Sequence, residues 1–267
     1  MKPFVKWAGG KRQLLDEIRS RLPDTYESYY EPFLGGGAVL FGLQPKKAFV
    51  CDINPNLIST YRSIRDDVDG LVDMLRLFDA SVVTKDTYRA LRDIYNHGVG
   101  ISDTERAALF IWLNKHAFNG LYRENSKGEF NVPFNNKTHG DSFDEENLIE
   151  ISAYLCSVDL STGDFEEFLQ RPQKGDFVYV DSPYVPVSST ANFTSYAKDG
   201  FDYEDHKRLM ESLFDLSKRG VKWMMSNNDV DLVRYWYKVY NIQSVDVRRS
   251  INAKGKRTGR EVIITNY

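Results

Sequence analysis

The apolar positions along the chain alternate between a strand pattern and a helix pattern. Runs of consecutive apolar residues bounded by polar ones predict buried strands, and they occur in SYYEPF, AFVCD, DFVYV and VKWMMSN. Apolar residues three or four apart predict amphipathic helices, as in KRQLLDEIRSRL, EENLIEISAYL and DYEDHKRLMESLFDLSKRG. Two further strands are predicted near SVDVRRSI and EVIITNY. Strands and helices that alternate in this way are typical of an α/β protein with a doubly wound sheet.

The stretch from about residue 56 to 118 differs, because its pattern is helical throughout. Asn54 followed by Pro55 predicts the start of its first helix. A polar stretch follows the helices, and residues 125–128, NSKG, predict a hairpin turn within it. We therefore expect an α/β domain built from 1–55 and 144–267, interrupted by a helical insert with a β-hairpin at 56–143.

Composition supports this picture and excludes a membrane protein. The chain of 267 residues is 42% hydrophobic and 27% charged, which is typical of a globular protein. No apolar run approaches the roughly 18 residues that a membrane helix needs. Lys6, Lys11 and Arg12 interrupt the N-terminal segment in which a signal peptide would be apolar. We expect a cytoplasmic protein without a membrane partner.

Charge is segregated along the chain. The net charge of −3 weakly disfavours a nucleic-acid partner when it is taken alone. Residues 247–260, VRRSINAKGKRTGR, nevertheless contain six Lys or Arg and no acid. This segment is either a face that binds phosphates or a solvated hairpin tip.

The sequence predicts neither a metal site nor a disulfide. Cys51 and Cys156 are far apart and fit no disulfide or metal framework, so we expect two buried, inert thiols. The four histidines show no metal-ligand spacing, and we predict no metal site.

A glycine pattern in the first third predicts a cofactor-binding loop. Phe33, Gly35 and Gly37 have the spacing F-x-G-x-G between a predicted strand and a predicted helix, where glycine lets a ligand approach the backbone. Asp52 ends the next strand, and a carboxylate there can bond both hydroxyls of a ribose. The pattern indicates a cofactor that contains adenosine, or else a tight turn with a helix cap. These residues match neither the dinucleotide motif G-x-G-x-x-G nor the phosphate loop G-x-x-x-x-G-K-[ST].

The stretch FVYVDSPY, residues 177–184, ends a predicted strand with groups suited to an amino substrate. The exocyclic amino group of a base is a poor nucleophile, because its lone pair is delocalised into the ring. A carboxylate and a backbone carbonyl that accept its hydrogens help to localise that pair, and an aromatic face can stack the base. Asp181, the carbonyl of Ser182 and the ring of Tyr184 supply these groups, and Pro183 stiffens the loop. The alternative is an ordinary turn with a core tyrosine.

Five motifs in this order resemble the Dam-type DNA adenine N6-methyltransferases, and the resemblance covers nearly the whole chain. They are KWAGGK (6–11), EPFLGGG (31–37), FNGLYRENSKGEFNVPF (118–134), DSPYVPVSSTANFTSY (181–196) and RRSINAKGKRTGREV (248–262). Their order matches the α group of amino-methyltransferases. The resemblance implies a Rossmann-like sheet of seven strands, with a catalytic domain at 1–55 and 144–267 and a helical target-recognition domain at 56–143. It also implies S-adenosylmethionine as donor and duplex DNA as partner, with a flipped adenine in GATC as target. We expect a monomer, which suits a target strand read one adenine at a time.

The resemblance assigns roles to single residues. Cofactor contacts would come from Trp7, Ala8, Gly9, Lys11, Phe33, Gly35, Gly37, Asp52, Asp164, Phe165 and Asp181. Catalysis would use Asp181, Ser182, Pro183 and Tyr184. DNA contacts would come from Lys6, Phe118, Asn119, Leu121, Arg123, Pro133, Ser188 and Arg248. Lys6 and Arg123 would read guanines, the commonest specific base contact of basic side chains. Leu121 and Pro133 would contact thymine, and Phe118 would fill the gap left by the flipped base, unless it is a core residue.

Two departures from the family pattern bear on activity and specificity. The family usually has D-P-P-Y, and Ser182 stands at the second position. Because the main-chain carbonyl carries the role of that position, we expect the activity to be retained, but to be reduced by a less rigid loop. Residues 135–137, Asn-Asn-Lys, stand where relatives often have Gly-Arg-Tyr, which leaves the target sequence open. An RNA adenine methyltransferase and a DNA-binding homologue weakened in catalysis are the alternatives.

Overall fold

A mixed sheet of seven strands with flanking helices confirms the predicted α/β class. The computed structural model describes residues 1–80, 82–138, 140–185, 200–252 and 255–267, with the backbone alone at 248–252 and 255–258. The strands in these residues are β1 (Tyr29–Glu31), β2 (Ala48–Asp52), β3 (Val158–Thr162), β4 (Phe177–Asp181), β5 (Lys222–Asn228), β6 (Asn241–Asn252) and β7 (Gly255–Thr265). The helices are α1 (Leu15–Arg19), α2 (Ala38–Leu43), α3 (Pro55–Asp66), α4 (Val68–Asp79), α5 (Lys85–His97), α6 (Asp103–His116), α7 (Glu145–Leu155), α8 (Phe165–Phe168), α9 (Tyr203–Lys218) and α10 (Asp231–Trp236).

The chain divides into two compact units. The helical unit comprises Met1–Gly10, Gly35–Gln44 and Asn54–Thr162, and the sheet unit comprises Lys11–Leu34, Pro45–Ile53 and Gly163–Tyr267. These units are defined by packing. The division into a catalytic domain, 1–55 with 144–267, and a recognition domain, 56–143, is a division by function and stays a prediction.

Six strands of the sheet lie in the sheet unit, in the order β2-β1-β4-β5-β7-β6. Neighbouring strands from β2 to β5 are parallel, so their carboxyl ends meet at one edge. β7 pairs antiparallel with β5 and β6, so it begins near the edge at which β5 ends. Asp52, Asp181 and Asn228 end β2, β4 and β5 at this carboxyl edge. Sheets of this kind bind ligands at that edge.

β4 runs through the core of the sheet unit. Val178 and Val180 are fully buried and share a hydrophobic core with one face of α9. Leu209, Leu213 and Leu216, which predicted that helix by their spacing, are all buried in this core. Burying a leucine side chain contributes roughly 1.5–3 kcal/mol. This packing fixes the strand and thereby the position of its last residue at the carboxyl edge.

The start of α3 in the helical unit follows the predicted cap. The Asn54 side chain accepts a hydrogen bond from the Leu57 N–H at 3.0 Å, and Pro55 is the first residue of α3. The predicted hairpin turn is present, since the Gly128 N–H donates to the Asn125 carbonyl at 3.0 Å. In the described residues, isolated bridges rather than regular strands connect the two arms of this hairpin.

Some features differ from the sequence predictions or were absent from them. β3, α8 and α10 were not predicted. The expectation of buried thiols is correct for Cys51 and wrong for Cys156, which is exposed. None of the described helices combines the length and the apolarity that are needed to cross a membrane.

Candidate active site

Four polar side chains form a connected cluster at the carboxyl end of β4. Asp181 Oδ1 accepts a hydrogen bond from Lys11 Nζ at 2.8 Å, and Lys11 Nζ also donates to the Tyr184 hydroxyl at 3.2 Å. That hydroxyl donates to Glu261 Oε1 at 2.5 Å. We call Lys11, Asp181, Tyr184 and Glu261 the Lys11 cluster. The first three were predicted site residues, and the structure brings them into contact; Glu261 was not predicted.

Strand register explains why Glu261 reaches this cluster. Asp181, the last residue of β4, pairs with Ser226 of β5. Ser226 pairs with Ile263 of β7, which runs in the opposite direction, so Glu261 lies two residues nearer to the carboxyl edge. Side chains two apart on a strand point to the same face of the sheet. The antiparallel last strand therefore carries an acid to the edge where the parallel strands end.

Burial governs the ionisation of the Lys11 cluster. Only 3% of the Lys11 side chain and 19% of the Asp181 side chain are exposed. Desolvation raises the pKa of Asp181 to about 6, against the opposing attraction of Lys11. Desolvation by itself would lower the pKa of Lys11, but the neighbouring Asp181, Tyr184 and Glu261 raise it, so the lysine stays an ammonium. Asp181 is therefore mostly ionised at neutral pH and becomes protonated in mild acid.

One oxygen of Asp181 and one aromatic ring are available to a ligand at this edge. Ser226 Oγ donates to Asp181 Oδ1 at 3.2 Å, and this is the oxygen that Lys11 also contacts. Within the described part of the chain, no residue is bonded to Asp181 Oδ2. Tyr184 is 38% exposed, although its hydroxyl is anchored. A hydrogen-bond acceptor and an aromatic surface thus lie side by side.

Asn227 of β5 holds the loop that follows Asp181. Its Nδ2 donates to Ser182 Oγ at 3.1 Å and to the Pro183 carbonyl at 3.3 Å. Its Oδ1 accepts from the N–H groups of Val185 at 3.3 Å and Asn228 at 2.9 Å. Asn227 thus uses two donors and two acceptors, which is the full capacity of an amide side chain. The Ser182 hydroxyl, where the family usually has proline, supplies one of these bonds.

The predicted cofactor residues of the sheet unit gather at the same carboxyl edge. The rings of Phe33 and Phe165 lie 5.3 Å apart, and Phe201 packs against them at 5.8 and 5.5 Å. Asp52 ends β2, and its carbonyl accepts the N–H of the residue before Asp164 at 3.2 Å. An aromatic group and the acid Asp52, which accepts hydrogen bonds, therefore lie at this edge and suit a nucleoside, whereas the Asp164 carboxylate already binds Arg208 at 2.7 Å.

The glycine loop belongs to the helical unit, and its shape excludes side chains. Gly35 has φ +51°, and an added Cβ would lie 2.8 Å from Trp7 Cδ1. Gly37 has φ +69°, and an added Cβ would lie 2.6 Å from the Tyr61 hydroxyl. Both positions require glycine for its backbone conformation and for space. The other two predicted cofactor residues of this unit, Ala8 and Gly9, lie in an exposed turn.

The predicted DNA-contacting residues of the helical unit lie on its surface. All six are exposed: Lys6, Phe118, Asn119, Leu121, Arg123 and Pro133. Phe118 is 53% exposed and Leu121 44%, so the core alternative for Phe118 is wrong. Arg123 Nε donates to Asn131 Oδ1 at 2.7 Å, which braces the guanidinium on the exposed hairpin.

A buried asparagine places Lys6 next to this surface. Asn114 Oδ1 accepts the Lys6 N–H at 2.8 Å, and its Nδ2 donates to the carbonyls of Lys6 and Gly120, both at 3.0 Å. Gly120 has φ +65°, and an added Cβ would lie 2.4 Å from Lys6 Cδ. The N-terminal segment and the 118–123 loop are therefore fixed to each other.

Two predicted residues cannot be placed as side chains, and several partners were missed. Ser188 lies outside the described residues, and only the backbone of Arg248 is described, within β6. Asn114, Asn227 and Glu261 did not emerge from the sequence. Each of them makes contacts with residues far away in the chain, which no local pattern encodes.

Residues 7–251 match the family model described as D12 class N6 adenine-specific DNA methyltransferase. The chain belongs to this family. Among its relatives, the Type II methyltransferase M1.LlaDCHI of Lactococcus lactis subsp. cremoris is 41% identical over all of this chain and 96% of that protein. The Type II methyltransferase M.MjaIII of Methanocaldococcus jannaschii is 40% identical over all of this chain and 99% of its own length. The DNA adenine methylase of Escherichia coli K12 is 35% identical over 95% and 90% of the two chains. The prediction of a Dam-type DNA adenine methyltransferase is confirmed.

As a D12 methyltransferase, the protein takes its methyl group from S-adenosylmethionine. The residues present fit this cofactor. Gly35 leaves a space beside Trp7 that a single Cβ would fill, and Asp52 stands at the end of β2, where a ribose can be bonded. The Phe33 and Phe165 rings offer apolar surface to an adenine.

Proposed function

We propose that this D12 methyltransferase methylates N6 of the adenine in GATC in duplex DNA, after the base has flipped out of the helix. We further propose that it acts as a monomer in the cytoplasm. The observation that supports the chemistry most is the pair at the end of β4. There, Asp181 Oδ2 has no bond from a described residue, and Asp181 and the partly exposed Tyr184 both contact Lys11 Nζ.

The protein's own groups can activate an amino nitrogen. In this proposal Asp181 Oδ2 accepts a hydrogen bond from one N–H of the amino group, and the Ser182 carbonyl accepts a hydrogen bond from the other. These two hydrogen bonds localise the nitrogen lone pair. Tyr184 stacks on the base and keeps the nitrogen in place. Asn227 supports both acceptors indirectly, since it holds the Ser182 and Pro183 segment through two hydrogen bonds. Acceptors held before the reaction need no reorganisation during it.

In this proposal, each of the two units contributes cofactor contacts of its own. S-adenosylmethionine supplies, when bound, an electrophilic methyl group on a positively charged sulfur. Gly35 and Gly37 allow a close approach to the backbone, and Asp52 accepts hydrogen bonds from ribose hydroxyls. Phe33 and Phe165, whose rings contact each other, would present an apolar surface to one side of the adenine ring. Holding both reactants in one orientation accounts for a large part of such rate enhancements.

Target recognition would use the exposed surface of the helical unit. An adenine inside a duplex is out of reach, and flipping it costs a few kcal/mol. Phe118, which is exposed and apolar, can fill the gap that the base leaves. Lys6 and Arg123 are exposed cations that can each read a guanine, at roughly 1–3 kcal/mol for a good bidentate contact. Leu121 and Pro133 can pack against a thymine methyl group.

A plasmid test examines this function directly. The protein is expressed in a methylation-negative host, and the plasmid is challenged with nucleases that cut only methylated or only unmethylated GATC. We expect resistance to the second nuclease and sensitivity to the first. Asp181→Ala should abolish the protection, while S-adenosylmethionine binding should largely persist through the other cofactor contacts. Asp246→Asn, which removes a carboxylate that is 79% exposed, is the matched control and should protect fully.

Each other outcome contradicts a part of the proposal. Methylated adenine outside GATC, detected by mass spectrometry of nucleosides, would contradict the target sequence. Methylated RNA without methylated DNA would contradict the substrate. An active Asp181→Ala enzyme would contradict the catalytic assignment and leave the family membership untouched.

A further inference from the structure

Glu261 is the member of the Lys11 cluster to which no role has been assigned. It is 7% exposed and lies on β7 before three buried apolar residues, 262–264. Its Oε1 accepts the Tyr184 hydroxyl at 2.5 Å. Its Oε2 lies 3.8 Å from Lys11 Nζ and has no hydrogen-bond partner among the described residues.

A carboxylate in this position works against the packing of the strand. Burying an ionised group is unfavourable unless it is paired and hydrogen-bonded. Here the pairing is incomplete, because only Oε1 has a hydrogen bond and Lys11 is closer to Asp181, at 2.8 Å, than to Glu261. An apolar residue would suit β7 better. The presence of an acid at position 261 is therefore explained by its hydrogen bond to the Tyr184 hydroxyl.

Glu261 and Lys11 together restrict the two rotations of the Tyr184 side chain. A hydrogen bond at the hydroxyl fixes the direction in which the ring points from the backbone. It does not fix rotation about the long axis of the ring, which passes through the hydroxyl oxygen. Lys11 Nζ lies over the ring at 4.8 Å from its centroid, which limits that second rotation. The first contact depends on Glu261 directly, whereas Lys11 is held mainly by Asp181, at 2.8 Å, with Glu261 at 3.8 Å.

We propose that Glu261 is a positioning residue for methyl transfer, which orients the Tyr184 ring for stacking on the target adenine. This inference rests on the proposed function, in which Tyr184 stacks on the base. Glu261 itself contacts neither substrate nor cofactor in this account. The hydroxyl of Tyr184 is the link, so its removal should make Glu261 nearly irrelevant to the rate.

A double-mutant cycle tests that link. The single-turnover rate on a GATC duplex is measured for Glu261→Ala, Tyr184→Phe and the double variant. Charge-assisted hydrogen bonds are among the stronger ones, and we expect each single variant to be slower by about tenfold to a hundredfold. The double variant should be no slower than the slower single variant, because both changes break the same bond. Multiplication of the two effects would overturn the proposal.

Stacking is followed separately with 2-aminopurine in place of the target adenine, since its fluorescence is quenched when it stacks. Glu261→Ala should leave the affinity for DNA within about twofold and reduce the quenching in the bound complex. A variant that loses DNA affinity but keeps normal quenching would also overturn the proposal. Asp246→Asn, on the neighbouring strand, should match the wild type in both assays.

Folding and function are kept apart by two further variants. If Glu261→Ala fails to fold, the cycle is run with Glu261→Gln, which keeps an acceptor of the same shape without the charge. A milder rate loss that does not multiply with Tyr184→Phe is then expected. If Tyr184→Ala is as active as the wild type, the proposed role of the ring fails. If Tyr184→Ala is inactive and the cycle is multiplicative, only the role of Glu261 fails.

Discussion

The exchange of Ser182 for alanine or proline separates two ways of holding the catalytic loop. Ser182 is buried, and its hydroxyl accepts a hydrogen bond from Asn227 at 3.1 Å. Alanine removes this acceptor, while Asn227 Nδ2 keeps the Pro183 carbonyl at 3.3 Å. One lost hydrogen bond changes the free energy of unfolding by about 1 kcal/mol. For a protein of this size that corresponds to a Tm about 2–4 °C lower.

Proline at position 182 loses the same hydrogen bond, but it also lowers the conformational entropy of the unfolded chain. Restricting the unfolded chain stabilises a protein by about 0.4–1 kcal/mol where the native backbone accepts proline. The Ser182→Pro variant should therefore unfold close to the wild-type temperature, and the Ser182→Ala variant should unfold below it. Since both variants keep the main-chain carbonyl, their single-turnover rates should stay within about threefold of the wild type.

Thermal unfolding and single-turnover methylation measure the two effects independently. An unchanged Tm for Ser182→Ala would mean that the bond to Asn227 contributes nothing. A Ser182→Pro enzyme about tenfold faster than the wild type would show that the asparagine does not hold the natural loop in its reactive position. Either result would refute the reasoning.

Three other predictions concern the acid, the glycine loop and the hairpin. The single-turnover rate should be level near neutral pH and fall as the pH drops through about 6, because burial raises the pKa of Asp181 and the ionised carboxylate is a much stronger hydrogen-bond acceptor than the protonated acid. A rate that holds down to pH 4 would contradict this. Gly35→Ala should weaken S-adenosylmethionine binding at least about tenfold by calorimetry, since its Cβ would lie 2.8 Å from the neighbouring indole. The control Gly100→Ala has an equally unfavourable φ of +77° but open space around it, and should bind normally. Asn131→Ala frees the Arg123 guanidinium and should reduce discrimination against a changed guanine about fivefold in competition assays, with Tm unchanged.

Local patterns predicted those parts of the fold that have local causes. The first residue of α3 followed from Asn54 and Pro55, because a cap acts within one turn. α10 was missed because Val230 precedes it without a side-chain cap, so that its start has no sequence signature. α8 has only four residues, which is too short for a periodicity to be recognised. β3 was missed because only Val158 and Leu160 of its five residues are apolar, so it lacks the consecutive apolar residues of β2 and β4.

Site residues that lie within one short motif were predicted from the sequence. Site residues that strand pairing brings together from distant parts of the chain were missed. Asp181 and Tyr184 lie three residues apart, so one short stretch revealed both. Glu261 reaches the same place only because β7 runs antiparallel to β5, with Asn228 opposite it. Register between strands is a property of the assembled sheet, and no pattern within 261–265 specifies it.

The position of β7 between β5 and β6 has a consequence for synthesis on the ribosome. This strand leaves the ribosome after the elements on both sides of it, and it must enter the sheet between them. Until it does so, Tyr184 has no carboxylate to bind, and the edge of β5 stays unpaired. A growing chain can thus complete its helices early, but the Lys11 cluster is complete only after β7 has entered the sheet.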